Sequence, residues 1–297
     1  MIILILRLTN MAQKEKPVLA IMYDFDKTLS TTDMQNYAFI PGIGLTPDEF
    51  WGLTGEFSHE TGVERILSYM YVMIRESNKK GIKMTREFLN KCGEKIKFYP
   101  GVQSWFERIN KYGEDKGVIV EHYLVSSGTK EIVEGCAINK YFTKVYGCEY
   151  LYNENGEAIW PKTAINYTQK TQFYFRIHKG TTDEWDDEGI NKRQAKNRVP
   201  YQNIVYIGDG LTDVAAMTLV KQNGGTSIAV YSKDDGRTKA AEIYDEGRVQ
   251  YTAIANYSQD RKLDKIIKLL IDRAAVNNEL YEEEQKEEKL STENKQY

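Results

Sequence analysis

Cysteine and histidine are both scarce in this sequence, with three residues of each among 297. Cys92, Cys136 and Cys148 lie far apart, so they lack the paired spacing of a zinc site. The three histidines are scattered outside the polar loops described below, which gives no support for a histidine phosphatase. An odd number of cysteines without a secretory signal indicates reduced thiols, so we expect a cytoplasmic protein.

Long hydrophobic runs and a strong excess of either charge are also absent. The apolar stretch 1–8 is far too short to cross a bilayer, and no convincing cleavage site follows it. A net charge of −3 offers no electrostatic argument for binding nucleic acid or an anionic membrane. We treat residues 1–15 as an N-terminal extension, in which either Met1 or Met11 is the true start.

The first informative motif follows an apolar run. Val18–Tyr23 leads directly into Asp24-Phe-Asp26-Lys-Thr28, which places two carboxylates and a hydroxyl after a predicted buried strand. A strand that is apolar in both registers predicts an α/β protein with a parallel sheet, and such sheets bind ligands beyond the carboxyl ends of their strands. Residues two apart share a side of an extended segment, so one carboxylate can act as nucleophile while the other moves protons. The alternative is that the pair only caps a turn.

A second predicted strand, 203–207, ends in Gly208-Asp209-Gly210-Leu-Thr-Asp213. The glycines allow a tight turn beside a ligand, and we expect Asp209 to face the first pair while Asp213 reaches back from the next helical turn. Several converging carboxylates repel one another. Mg²⁺ prefers oxygen ligands and a substrate phosphate, so the motif predicts a magnesium site.

A third predicted strand, 121–125, precedes Ser126-Ser127-Gly128-Thr129 and an amphipathic segment that runs to Ala137. Small hydroxyl side chains and a glycine at a helix start offer hydrogen-bond donors and the positive end of the helix dipole to a phosphate. Ordinary capping of a helix by serine or threonine is the alternative interpretation.

Taken in this order, the three motifs resemble those of the haloacid dehalogenase superfamily of aspartyl-phosphate phosphohydrolases. The resemblance is to its phosphoserine-phosphatase-like branch, which has a helical C1-type cap, and it covers roughly residues 16–255. It implies a Rossmann-like parallel sheet core with an inserted all-helical cap. The motif that begins at Asp24 matches the family's first motif, Ser126 its second, and the loop from Gly208 to Asp213 its fourth.

The resemblance also implies residue roles. Asp24 would attack phosphorus, and Asp26 would protonate the leaving group and then activate water. Asp24, the backbone carbonyl of Asp26 and Asp209 would bind Mg²⁺, with Asp213 as a further metal-site residue at its edge. The phosphate would be held by four residues, namely Thr28, Ser126, Ser127 and Gly128. Dehalogenases of the superfamily lack the acid/base residue, so the presence of Asp26 favours phosphate ester cleavage.

The family's third motif is a lysine at the start of a helix, where its charge offsets the nucleophile and the phosphoryl group. We choose Lys170, because Phe173, Tyr174 and Ile177 follow it at helical spacing. Lys162 and Lys179 are the alternatives. The polar stretch 180–200 is longer than the branch usually needs at this place, and we interpret it as an inserted surface loop.

We predict four segments. They are the extension 1–15, a core formed by 16–32 and 99–275, a helical cap at 33–98, and a charged C-terminal tail at 276–297. In the cap, Thr46-Pro47-Asp48-Glu49 is a capping box that starts a helix. Past Phe142 we predict a hairpin of strands 145–152 and 158–164, with Asn155-Gly156 in its turn.

The function that these patterns favour is a Mg²⁺-dependent phosphohydrolase of a small phosphorylated metabolite, working through an aspartyl-phosphate. The alternatives are a phosphotransferase or phosphomutase of the same fold, and a non-catalytic protein that binds phosphate esters. The motifs touch only phosphate and metal, so they identify neither the alcohol that leaves nor an oligomeric state.

Overall fold

A single seven-stranded sheet organises the chain. The computed structural model describes residues 16–194, 197–233 and 237–293, so the extension 1–15 and the choice between Met1 and Met11 lie outside the described residues. The strand order is β4-β3-β2-β1-β5-β6-β7. The strands are β1 Val18–Tyr23, β2 Ile119–Thr129, β3 Lys144–Tyr152, β4 Ala158–Thr163, β5 Ile204–Gly208, β6 Thr226–Tyr231 and β7 Tyr251–Ile254.

Helices cover the sheet and fill the predicted cap. Those between β1 and β2 are α1 Phe39–Gly42, α2 Pro47–Thr61, α3 Arg65–Lys79, α4 Arg86–Gly93 and α5 Val102–Asp115. The rest are α6 Lys130–Glu134, α7 Lys170–Lys179, α8 Asp187–Asn191, α9 Val214–Gln222, α10 Thr238–Asp245 and α11 Lys262–Glu293. Short 3₁₀ turns occur at Met34–Asn36, Asn139–Tyr141, Tyr201–Asn203 and Leu211–Asp213. In the described part of the chain, no helix combines the length and apolarity needed to cross a membrane.

The central strand β1 explains where the polar loops meet. It pairs in parallel with β2 on one side and β5 on the other. Tyr23, its last residue, is level with Leu124 of β2 and Ile207 of β5. The residues that follow these three positions therefore share one edge of the sheet. The predicted α/β fold with a parallel sheet core is confirmed, and only β4 runs antiparallel to its neighbour.

The segment between β1 and α5 contains helices and 3₁₀ turns, as expected for an all-helical cap; its bounds at 33 and 98 stay a prediction. The predicted capping box starts α2, because Thr46 Oγ1 accepts the Glu49 amide at 3.3 Å and Glu49 Oε2 accepts the Thr46 amide at 2.8 Å. The predicted hairpin is also present as β3 and β4, and Gly156 in its turn has a φ of 73°. Its far strand touches the cap, since the Ala158 amide donates to the Met84 carbonyl at 2.8 Å.

Two segments differ from the sequence-based expectation, and the predicted charged tail is largely helical. Strand β2 continues through Thr129, so α6 begins only at Lys130 and ends at Glu134 instead of reaching Ala137. The stretch 180–200 is not merely a loop, because it contains α8. Helix α11 passes Ala275 and continues to Glu293, since the glutamate- and lysine-rich segment beyond it has no glycine or proline to end a helix.

Candidate active site

The edge where β1, β2 and β5 end gathers the predicted carboxylates. Asp24 follows β1 directly, Asp209 follows β5, and Asp213 closes the next 3₁₀ turn. One carboxylate oxygen from each of these three residues lies within 4.8 Å of the others. Asp24 and Asp213 are buried, while Asp209 is partly exposed. The sheet register thus brings together acidic residues that are almost 190 positions apart in the sequence.

Lys170, the first residue of α7, joins two of these carboxylates. Its ammonium nitrogen lies 2.6 Å from Asp24 Oδ1 and 2.7 Å from Asp213 Oδ1, and the side chain is fully buried. The alternative lysines are elsewhere: Lys162 pairs with Glu149 at 3.0 Å, and Lys179 donates to the Lys192 carbonyl at 3.0 Å. Among the three candidate lysines, the structure therefore brings Lys170 to the carboxylates.

Asp213 is held by more than Lys170. Its Oδ1 also accepts the Tyr206 hydroxyl at 2.8 Å, and its Oδ2 accepts the Gly210 amide at 3.2 Å. Both oxygens already have partners from the chain, so the carboxylate is suited to fixing Lys170 and the loop. Tyr206 was not among the residues that the sequence predicted for this site. Its only signal in the sequence is that it carries a hydroxyl group within the otherwise apolar strand β5.

Asp26 lies beside Asp24 in a tight turn of the chain. Its Oδ1 accepts the Met34 amide at 2.7 Å, which ties the turn to the start of the cap. Lys27 has a φ of 58°, a left-handed conformation that is uncommon for a residue with a side chain, and it pairs with Asp33 at 2.8 Å. Observed strain of this kind is concentrated at functional sites.

The residues predicted to hold phosphate surround the same edge. Thr28 Oγ1 donates to Asp24 Oδ2 at 3.4 Å, and Ser126 Oγ accepts the Gly128 amide at 2.9 Å. Ser127 Oγ is buried and has no hydrogen-bond partner within the described part of the chain. Ser126 and Ser127 lie within β2, which ends at Thr129, and α6 begins at Lys130, so the expected position at a helix start is wrong for these two serines.

Gly128 leaves no room for a side chain. A Cβ at this position would lie 2.1 Å from Met34 Cε and 3.1 Å from Asp26 Oδ2. Residues 126–128, the serine loop, also contact the predicted cap, because the Tyr69 hydroxyl donates to the Ser127 carbonyl at 2.7 Å. Close packing therefore fixes the serine loop against Asp26.

The electrostatics of the cluster show an excess of negative charge. Burial raises the pKa of Asp24 to about 6, because desolvation and the Asp213 charge outweigh the opposing Lys170 charge. Burial and the charges of Asp24 and Asp213 raise the pKa of Asp209 to about 7. Burial, followed by the charges of Asp33 and Asp24, raises the pKa of Asp26 well above its ordinary value.

The same negative charges favour the charged form of Lys170. Burial alone would lower the pKa of its ammonium group, but Asp213 and Asp24 raise that pKa above its ordinary value. One ammonium does not balance the carboxylates around it. Converging carboxylate oxygens are the donor set of a hard divalent cation, so the residues present fit such an ion.

A cavity of about 520 Å³ opens above this cluster. Its floor is formed by Asp24, Asp26, Asp209 and the serine loop. The opposite wall comes from the helices between β1 and β2 and includes Trp51, Thr54, Gly55, Arg65, Ile66 and Tyr69. Tyr167, Leu211 and Lys239 complete its rim.

The comparisons with known proteins give one sequence relative and several structures of similar fold. No protein-family model matches the sequence. An uncharacterized protein from Borreliella burgdorferi is 29% identical over 278 residues, which cover 83% of this chain and 94% of the relative. A haloacid dehalogenase (HAD) family hydrolase from Salmonella enterica serovar Typhi superposes with a TM-score of 0.56 at 14% identity, over 86% of this chain and 72% of the other.

Two further solved structures are phosphoserine phosphatases by name. A probable phosphoserine phosphatase from Vibrio cholerae gives a TM-score of 0.54 at 11% identity, over 89% of this chain and 68% of that one. A substrate-bound phosphoserine phosphatase gives 0.53 at 16% identity, over 86% and 99%. The chain therefore has the fold of the haloacid dehalogenase-like hydrolases.

Proposed function

We propose that this protein is a Mg²⁺-dependent phosphohydrolase of a small phosphorylated metabolite, working through an aspartyl-phosphate. The observation that carries the proposal is the buried contact of Lys170 with Asp24 at the strand edge, beside a serine loop and two further carboxylates. A buried ammonium is costly unless it is paired, and here it faces the residue that would become phosphorylated.

In this proposal Asp24 attacks the phosphorus atom and the ester oxygen leaves with a proton from Asp26. Asp26 then takes a proton from water, which attacks the aspartyl-phosphate and frees inorganic phosphate. Lys170 offsets the charge on Asp24 and on the transferring group, while Asp213 keeps the lysine in place. Asp26 thus regains the proton that it gave to the leaving alcohol. Asp24 becomes a free carboxylate again when phosphate leaves.

Thr28, Ser126, Ser127 and the Gly128 amide would bind the phosphate oxygens. The unpartnered Ser127 hydroxyl supports this role, because a buried donor without a partner is expensive and a phosphate oxygen would satisfy it. Asp24, Asp209 and the Asp26 carbonyl would hold Mg²⁺, with Asp213 at the edge of that site. Bound Mg²⁺ supplies positive charge to the phosphoryl oxygens.

Phosphate release from a panel of phosphorylated amino acids, sugars and nucleotides tests this proposal. Each compound is incubated with Mg²⁺ or with EDTA, using the wild type, Asp24→Asn and the control Asp115→Asn. Asp115 is on the exposed face of α5 and pairs only with Lys111 among the described ion pairs. Turnover that needs Mg²⁺, disappears in Asp24→Asn and persists in Asp115→Asn is expected. Activity that survives in Asp24→Asn would remove Asp24 as the nucleophile.

The same panel separates hydrolysis from phosphoryl transfer. With an added alcohol acceptor, a phosphotransferase or mutase yields a new phosphate ester, whereas a phosphohydrolase yields inorganic phosphate in amounts that match the alcohol released. A non-catalytic binding protein releases nothing under any condition. Because repulsion among the buried carboxylates disfavours their charged forms, retention of all of them favours catalysis over simple binding.

A further inference from the structure

The cavity is large for a site that handles only a phosphate and a short alcohol. Its volume of about 520 Å³ falls well inside the range of roughly 300–1,000 Å³ typical of cavities that enclose drug-sized ligands. The phosphate-binding residues occupy only its floor. The other walls of the cavity would therefore contact the leaving alcohol.

Two residues of those walls present ring surfaces. Trp51 and Tyr69 line the cavity with their rings 6.1 Å apart and at 64° to each other. Their polar atoms are already used, because Trp51 Nε1 donates to Asn36 Oδ1 and the Tyr69 hydroxyl donates to the Ser127 carbonyl. What they offer to a ligand is apolar surface, which suits the flat face of a ring.

The rim adds apolar surface that the protein itself does not cover. Tyr167 is 40% exposed and Leu211 is 71% exposed, and both border the cavity. Within the cavity lining there is also a buried acceptor, Gln35 Oε1, which has no hydrogen-bond partner among the described residues. A hydroxyl or amino group on the ligand would satisfy it.

Gly55 shows how the space is kept open. It lies within α2 and lines the cavity, and a Cβ built on it meets nothing within 4 Å. Glycine inside a helix costs roughly 0.5–1 kcal/mol relative to alanine. No steric contact of the protein requires a glycine here, and a longer side chain at this lining position would take up part of the cavity.

We infer that the site takes phosphomonoesters whose leaving alcohol carries a ring of sugar or nucleoside size, and that Gly55 sets this size limit. The inference rests on the proposed phosphohydrolase function. In it, the ring lies against Trp51 and Tyr167, and a hydroxyl or amino group of the ring donates to Gln35. Phosphoserine, which has no ring, would leave these surfaces without contact.

The test compares Gly55→Leu with Gly52→Leu and the wild type. Gly52 is in the same helix, also has nothing within 4 Å of a built Cβ, and does not line the cavity. The substrates are phosphoserine, glucose 6-phosphate and adenosine 5′-monophosphate, each with Mg²⁺. The measured quantity is the ratio of kcat/KM for each ring-bearing ester to kcat/KM for phosphoserine.

We expect at least one ring-bearing ester to exceed phosphoserine in the wild type and in Gly52→Leu. In Gly55→Leu this ratio should fall by about tenfold or more, as expected when added methylene groups occupy a pocket. Which ester shows the effect distinguishes the sugar from the nucleoside. A wild-type preference for phosphoserine, or a ratio that Gly55→Leu does not change, would overturn the inference.

Failure of the proposed function gives a different result. If no variant releases phosphate from any compound, the hydrolase proposal fails, and binding to Asp24→Asn is measured by calorimetry. Tighter binding of a ring-bearing ester than of phosphoserine, weakened by adding Gly55→Leu but not Gly52→Leu, would still support the inference about the cavity. Equal binding of all three compounds would refute it.

Discussion

The ammonium group of Lys170 lies 2.7 Å from Asp213 Oδ1, and neither side chain is exposed to solvent. Removing the lysine leaves Asp213 and Asp24 facing each other without the positive charge between them. We expect Lys170→Met to lower the free energy of unfolding by about 3–5 kcal/mol, the usual effect of breaking a buried ion pair from one side. Urea denaturation at neutral pH in the presence of EDTA measures this change.

The matched control is Lys162→Met. Lys162 is 55% exposed and pairs with Glu149, which also accepts from Lys130 and Arg86. An exposed pair contributes at most about 1 kcal/mol, so this variant should unfold close to the wild type. Equal destabilisation of the two variants would contradict the special position of Lys170.

A buried histidine should make stability depend on pH. His122 lies between the Tyr23 hydroxyl at 2.9 Å and Asn110 Oδ1 at 2.8 Å, and Trp105 Nε1 donates to the same hydroxyl at 2.8 Å. Burial lowers the pKa of His122 to about 3. The folded protein thus keeps the histidine neutral, whereas the unfolded chain binds a proton below about pH 6.5.

The direction of the pH dependence follows from the protonation of His122 in the folded and unfolded chain. The contribution of His122 is fully present above pH 6.5 and is lost as the pH falls from there toward 3, by about 1.4 kcal/mol per pH unit. We expect His122→Gln to flatten the fall in unfolding free energy between pH 6 and pH 4 relative to the wild type. The exposed His59, changed to glutamine, serves as the control and should leave that slope as it is. An unchanged slope in His122→Gln would show that the histidine protonates inside the fold.

Local patterns were sufficient to predict the central strand and the helix that carries Lys170. The apolar run 18–23 became the central strand, and Lys170 became the first residue of α7. The cap helix beginning at Pro47 followed from four consecutive residues that complete one capping box. These features depend on contacts between residues close in the sequence, so the sequence carries them directly.

The contacts that the sequence did not reveal are long-range. Tyr69 reaches a carbonyl 58 residues away, and the Ala158 amide meets the carbonyl of Met84 in the cap. Each partner is set by the sheet register and by helix packing, which a single sequence does not specify.

Arg86 should stabilise the junction between the predicted cap and the hairpin. It begins α4 and donates to Glu134 at 3.1 Å and to Glu149 at 3.2 Å, while its guanidinium lies 3.8 Å from the fully buried Glu131. We expect Arg86→Ala to lower the unfolding free energy by about 1.5–3 kcal/mol, because hydrogen bonds between charged groups are lost near a buried carboxylate. Urea unfolding at pH 7 provides the measurement.

The control for Arg86 is Lys91→Ala in the same helix. Lys91 makes an ion pair with Glu87 at 2.8 Å, and both side chains are mostly exposed. Such i, i+4 pairs contribute about 0.3–0.5 kcal/mol, so the variant should be close to the wild type. If Arg86→Ala were no more destabilising than Lys91→Ala, the junction would depend on backbone and apolar contacts instead.

The packing of Gly128 against Met34 leads to the last prediction. Because a Cβ on Gly128 would lie 2.1 Å from Met34 Cε, Gly128→Ala must displace the side chain of Met34, and the backbone amide of the same residue holds Asp26. A displacement of about 1 Å at a catalytic group can reduce a rate about 100-fold. We expect a loss of this order in phosphate release, with unfolding free energy lowered by about 1–3 kcal/mol from overpacking.

Shortening the methionine should reverse the effect. In Gly128→Ala/Met34→Ala the added methyl group enters the space that Met34 Cε vacates, so release should recover by about tenfold or more relative to Gly128→Ala. Gly52→Ala, where nothing lies within 4 Å of the new Cβ, controls for an alanine that meets no neighbour. If Met34→Ala gave no recovery, the 3.1 Å approach of the new Cβ to Asp26 Oδ2 would have to be the source of the loss. The double variant therefore separates displacement of the cap from direct obstruction of the carboxylate.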